Sequence, residues 1–175
     1  MSSILKVDQL QDSGGNAIIT SDGAGNLTAG TIPAKTIGTG AVLQVVHGST
    51  TTTVTNNTGT FATTGLSASI TPTSSSNKIA IMATINGLLT TGTTTSAKLE
   101  LRRDSTSLVI PQYFAGYDTA STDNQRNIPV FELDSPSTTS AITYEIFFLR
   151  ASGSSNCRVQ ANNSESTIIL MEIAG

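Results

Sequence analysis

From Lys78 to Asn86 the residues Ile79, Ile81, Ala83 and Ile85 fall at every second position, and this period of two constrains the fold more than any other feature of the chain. Side chains alternate between the two faces of a β-strand, whereas an α-helix repeats every 3.6 residues. The intervening residues Ala80, Met82 and Thr84 are small or only moderately polar, which predicts a strand covered on both faces and central to a sheet. Lys98 to Arg102 alternates cleanly, with Leu99 and Leu101 on one side and charges on the other, as on a half-exposed strand. Ile142, Tyr144, Ile146 and Phe148 share one face of a further strand. The segment Thr167 to Ile173 is apolar on both faces, which predicts a position deep in the sheet or at a subunit contact.

Weaker strand signals run over Val42 to Val46, Leu66 to Ile70, Leu108 to Ile110, Pro129 to Leu133 and Arg158 to Ala161. Turn-forming residues separate nearly all of these strands: Thr71-Pro72 to Asn77, Asn86-Gly87, Thr91-Gly92, Asp134-Ser135-Pro136 and Ser152-Gly153-Ser154. No stretch combines a helical apolar period with good helix formers. Eight to ten strands in roughly 135 residues predict an all-β, two-sheet antiparallel sandwich, a jelly roll, preceded by an extended N-terminal arm.

The arm is residues 1–40 and the head residues 41–175. Ile4, Leu5, Val7, Leu10, Ile18, Ile19 and Leu27 are too few and too interrupted by glycine turns to build a core, so the arm is expected to order only against a partner. The head is lean as well: 37% of the chain is hydrophobic and there is no Trp, below the usual range of about 45–50% apolar residues. Burial between copies would add roughly 25 cal/mol per Å² of apolar area removed from water. Oligomerisation is therefore expected, with Ile168, Leu170, Met171 and Ile173 assigned to the interface.

Several function classes fit poorly. Charged residues make up 12% of the chain, the net charge is −3, and the nine Lys and Arg are scattered, which argues against nucleic-acid binding by counterion release. The Arg102-Arg103 pair reads as a strand end. A single cysteine, Cys157, allows no internal disulfide. No apolar run approaches the ~20 residues of a membrane span, and residues 1–6 do not resemble a secretory signal. Assembly in a cytoplasm without membrane insertion is the expectation.

No catalytic, metal or cofactor site is predicted. His47 is the sole histidine and reads as a strand-end residue; a Cys157–His47 nucleophile pair has no supporting motif. The scattered carboxylates lack the aromatic surroundings of a glycosidase pair, and Asp22 to Asn26 reads as a plain turn and not a calcium loop. Tyr113 and Tyr117 are the candidates for ligand contact by stacking on a sugar, because a phenol offers a flat apolar face and a hydroxyl. Packing within the sandwich or along an oligomer axis is the competing role for both.

Three stretches carry a resemblance. The opening Ile-Leu-Lys-Val-Asp-x-Leu-Gln-Asp, continuing through Gly14-Gly15-Asn16 to Asp22-Gly23-Ala24-Gly25-Asn26-Leu27, resembles the amino-terminal segment of many bacteriophage virion proteins. Thr64 to Ile79 and Ser166 to Ala174 are similar to the same family. The resemblance implies a trimeric C1q/tumour-necrosis-factor-like jelly-roll head on an anchoring arm, bound to capsid or tail proteins at the virion surface. Family members include capsid decoration proteins, head fibres and tail fibres. With no extended shaft, this chain leans toward a decoration or head-fibre protein, the alternative being a tail-fibre adhesin that recognises a host glycan. A C1q-like binding module outside phages is a third reading.

Overall fold

The alternation around Ile79 to Ile85 produces the longest strand of the molecule, Lys78–Thr90, whose Ile79, Ile81, Ala83 and Ile85 are all buried in the core. The computed structural model describes residues 9–21, 23–24, 27–29, 38–108, 112–113 and 123–175. It divides the chain into two compact units, 1–39 and 40–175.

The first unit contains three short antiparallel strands, β1 (Gln9–Gln11), β2 (Ala17–Ser21) and β3 (Leu27–Ala29), in the order β1-β2-β3. Asp12 closes the β1–β2 turn: its Oδ1 accepts from the backbone N–H groups of Gly14 (2.8 Å) and Asn16 (2.9 Å). Hydrogen bonding from the Asn16 side chain and then its backbone holds the carboxyl below its ordinary pKa. Leu10 pairs with Ile19, so the two share a face while Ile18 occupies the other. All three are exposed.

The second unit is an antiparallel sandwich. Its strands are β4 (Val42–Thr50), β5 (Val54–Thr55), β6 (Ala62–Ile70), β7 (Lys78–Thr90), β8 (Ser96–Arg103), β9 (Thr106–Ser107), β10 (Gln112–Tyr113), β11 (Asn124–Asp134), β12 (Ile142–Ser152), β13 (Cys157–Val159) and β14 (Ser166–Ile173). One sheet runs β4-β14-β7-β13-β5 with β11 on the other edge of β7, and the second runs β10-β8-β12-β6 with β9 on β8. Taken in chain order, the eight principal strands distribute as 1-8-3-6 and 2-7-4-5, the double Greek key of a jelly roll. Among the described residues the only helical element is the three-residue 3-10 turn Ala161–Asn163.

Facing side chains from the two sheets form the core. Ile79, Ile81, Ile85, Leu88, Ile168 and Leu170 from the first sheet meet Leu66, Leu99, Leu101, Tyr144, Ile146 and Phe148 from the second. At one edge the sheets close together at Gly48, where an added Cβ would strike the Ser67 carbonyl oxygen. Pro129 lies in β11, an edge strand, where its missing N–H breaks no ladder.

One expectation changes. Asn86-Gly87, read as a turn, is a bulge within continuous β7: the pairing with β11 shifts register there, and Gly87 adopts φ +62°. Its N–H donates to Asn127 Oδ1, while the Asn86 N–H donates to Ser166 Oγ. Of the expected Leu108 to Ile110 strand, Leu108 lies just past β9, which ends at Ser107, and residues 109–110 lie outside the described residues.

Candidate self-association face

The last strand divides its apolar sequence between the two faces of the sheet. Residues of one parity, Ile168 and Leu170, are fully buried and belong to the chain's own core, which corrects their assignment to a subunit interface. Alternation turns Ile169, Met171 and Ile173 outward, where each stays partly exposed.

Strand register extends that outward row across the sheet. Ile169 sits between His47 of β4 and Met82 of β7, and Met82 pairs in turn with Phe131 of β11. In the adjacent row Met171 lies between Val45 and Ala80, and Ala80 pairs with Leu133. Ile173 pairs with Val42 at the end of β4. The large side chains here are open to water: Val42 52%, Val45 59%, Met82 43%, Phe131 63% and Leu133 53%. Together they leave on the order of 500 Å² of apolar surface exposed, toward the upper end for one patch on a monomer. Covering it would contribute on the order of 10 kcal/mol before the costs of association.

The opposite sheet is finished differently. Its outer residues on β6 are Thr63, Gly65, Ser67 and Ser69, and Ser69 and Thr143 hydroxyls share a hydrogen bond of 2.8 Å. Phe147 is capped by the Arg102 guanidinium at 4.1 Å, and Arg102 is itself paired with Glu100 at 2.6 Å. One outer face is thus dressed for water and the other is not.

At the end of the sandwich near Gly40, Glu172 is fully buried. Its Oε1 accepts from the Thr73 N–H (2.6 Å), the Thr73 hydroxyl (2.8 Å) and Asn77 Nδ2 (2.6 Å), and its Oε2 from Gln44 Nε2 (2.6 Å). Burial alone would raise its pKa, but these donors outweigh it and hold the carboxyl down at about 2. The carboxylate therefore fastens β14 to β4 and to the 71–77 loop. Burial raises the Tyr144 phenol, and its hydrogen bond to Asp134 (2.7 Å) reinforces the shift; Asp134 is also paired with Arg103 at 2.6 Å.

The remaining sequence candidates are dispersed. His47 faces outward from β4, whereas Cys157 is buried in the core with its thiol pushed up to about 11 by desolvation, so the two lie on opposite faces of one sheet and form no nucleophile pair. No group of three or more His, Cys, Asp or Glu capable of holding a metal occurs among the described residues. Tyr113, in β10, pairs through its backbone with Lys98 of β8; Tyr117, Ile4, Leu5 and Val7 lie outside the described residues. Leu10, Ile18 and Ile19 are exposed in the first unit. Val42, Val45, Met82, Phe131 and Leu133 were not singled out from sequence, because only the register assembles them into one surface.

No protein-family model matches the sequence, and no curated protein matches it. Solved structures similar to it include the infectious bursal disease virus VP2 subviral particle, with 13% identity and a TM-score of 0.46 over 77% of this chain and 34% of that one. The Gx strain of the same virus gives 14% identity and a TM-score of 0.42 over 77% and 34%. The Gt strain gives 15% and 0.38 over 75% and 38%. The chain spans about a third of the length of these structures.

Proposed function

We propose that this protein is a non-enzymatic structural component of a tailed-phage virion, in which three sandwiches associate through the apolar face of the β4-β14-β7-β11 sheet and the N-terminal segment docks on capsid or tail proteins. The observation that carries this reading is that face: Val45, Met82, Phe131 and Leu133, aligned by register and exposed. A second copy is the favoured occupant because the central rows carry no carboxylate or permanent charge with which to select a charged partner. The surrounding Ala80, Ile169, Met171 and Ile173 bring the area toward the ~800 Å² per partner of a standard interface.

Ile4, Leu5, Val7, Leu10, Ile18 and Ile19 are the proposed anchors to the virion. Joining three anchors to one head raises the local concentration of the second and third once the first has bound, so weak single contacts give lasting attachment. The resemblance of the opening segment to phage virion proteins supports placing the protein at the particle surface, as a capsid decoration or head fibre.

Sedimentation of the full chain should give a species of three times the 18.0 kDa chain mass. Removing residues 2–30 should leave that species intact but unable to bind particles; a truncated protein that still decorates them contradicts the anchoring role. Labelled protein over the whole shell supports decoration, and label confined to the tail supports the adhesin, with Tyr113 and Tyr117 then the residues to test for glycan binding.

A further inference from the structure

We infer that self-association through this face is gated by pH, with His47 as the sensor, an inference that rests on the self-association just proposed. His47 is exposed on β4 and occupies the end of the row His47–Ile169–Met82–Phe131. Val45 and Ser49 flank it on the same face of β4, and Thr167 and Met171 flank its partner Ile169 on β14. An interface covering Val45, Ile169 and Met82 therefore removes water from the imidazole as well.

No acid stands ready to compensate a charge there. β4 carries no other titratable residue and β6, packed at Gly48, carries none. The one titratable group of β14, Glu172, has the opposite parity and is buried among Thr73, Asn77 and Gln44. Lys78, at the start of β7, pairs with Ile173 of the outward row. Arg158 of β13 also turns outward, since its neighbours Cys157 and Val159 are buried in the core. Glu132 and Asp134 of β11 pair with Ile81 and Ile79 and so have the inward parity. Glu165, exposed just before β14 with the parity of Thr167 and Ile169, stands four residues along the chain from Ile169, roughly 13 Å at strand spacing and too far to pair with the imidazole; protonation of His47 thus adds an unpaired positive charge to a face that already carries Lys78 and Arg158.

A neutral imidazole tolerates a dry contact, whereas an imidazolium loses its hydration there without gaining a counter-ion. The associated state thus favours the deprotonated form. Its formation constant therefore falls as the solution is acidified, by up to about tenfold per histidine for each pH unit over which the free protein takes up the proton.

Sedimentation equilibrium of the full chain at pH 8.0 and pH 5.5 tests this, together with the His47→Gln and His47→Lys variants. The expected result is oligomer at pH 8.0 and a shift of at least tenfold toward monomer at pH 5.5. His47→Gln should stay associated at both pH values, and His47→Lys should resemble the acid form already at pH 8.0. Circular dichroism at each pH checks that the sandwich stays folded. Wild type equally associated at both pH values, or a pH response retained in His47→Gln, overturns the gating while leaving self-association intact. Wild type monomeric at both pH values overturns the self-association reading itself, and the gating with it.

Discussion

Glu172 shows how one buried charge joins sequence segments that lie far apart. Thr64 to Ile79 and Ser166 to Ala174 look unrelated along the chain, yet Thr73 and Asn77 from the first surround Glu172 from the second. The donors hold the folded carboxyl down at about 2, against an ordinary 4.5, so its contribution to stability is present above pH 4.5 and disappears as pH falls toward 2. Wild type should lose about 3 kcal/mol across that window from this group, and Glu172→Gln should flatten the acid limb of a Tm-against-pH curve. An unchanged acid limb in the variant would remove Glu172 from the account. Gly48 makes a second test. Its Cβ would meet the Ser67 backbone and Ile168, so Gly48→Ala should cost about 1–3 kcal/mol in denaturant unfolding. The charge on Glu172 was plain in the sequence; its partners were not, because hydrogen bonding across about a hundred residues has no local signature.

At the scale of elements, period-two patterning located the principal strands of the head because each strand has at least one face that must stay dry. Boundaries were less legible. Asn86-Gly87 carries turn chemistry, but β11 and the Gln160 to Ser164 loop hold it in the sheet, and Gly87 meets the Ala161 N–H at the position a Cβ would take. Gly87→Ala should destabilise the protein by about 2 kcal/mol or more, since it meets both a positive φ and a backbone clash; thermal unfolding that leaves Tm unchanged would show that the bulge relaxes freely. β14 was legible in a subtler way. Its double-sided apolar sequence allowed a buried strand or a subunit contact, and the sheet buries one parity and turns the other outward.

For the whole molecule, the contrast between the two outer faces governs the behaviour expected in solution. Phe131→Glu or Val45→Glu should convert the proposed oligomer to monomer without unfolding it, because both side chains are already more than half exposed; sedimentation and circular dichroism together check this. A substitution on the other outer face, Ser67→Glu, should leave association unchanged. Alternation, turn residues and the absence of helical periodicity determined from sequence alone that the chain is an antiparallel β-sandwich, because strand side-chain direction is a local property of the backbone. Strand order and register, set only when β4, β14, β7 and β11 pair, decided that Ile168 and Leu170 are core while Val45, Met82, Phe131 and Leu133 form one surface. Neighbours across a sheet are chosen by tertiary packing, and nothing in the linear spacing of residues 45, 82, 131 and 133 encodes their meeting.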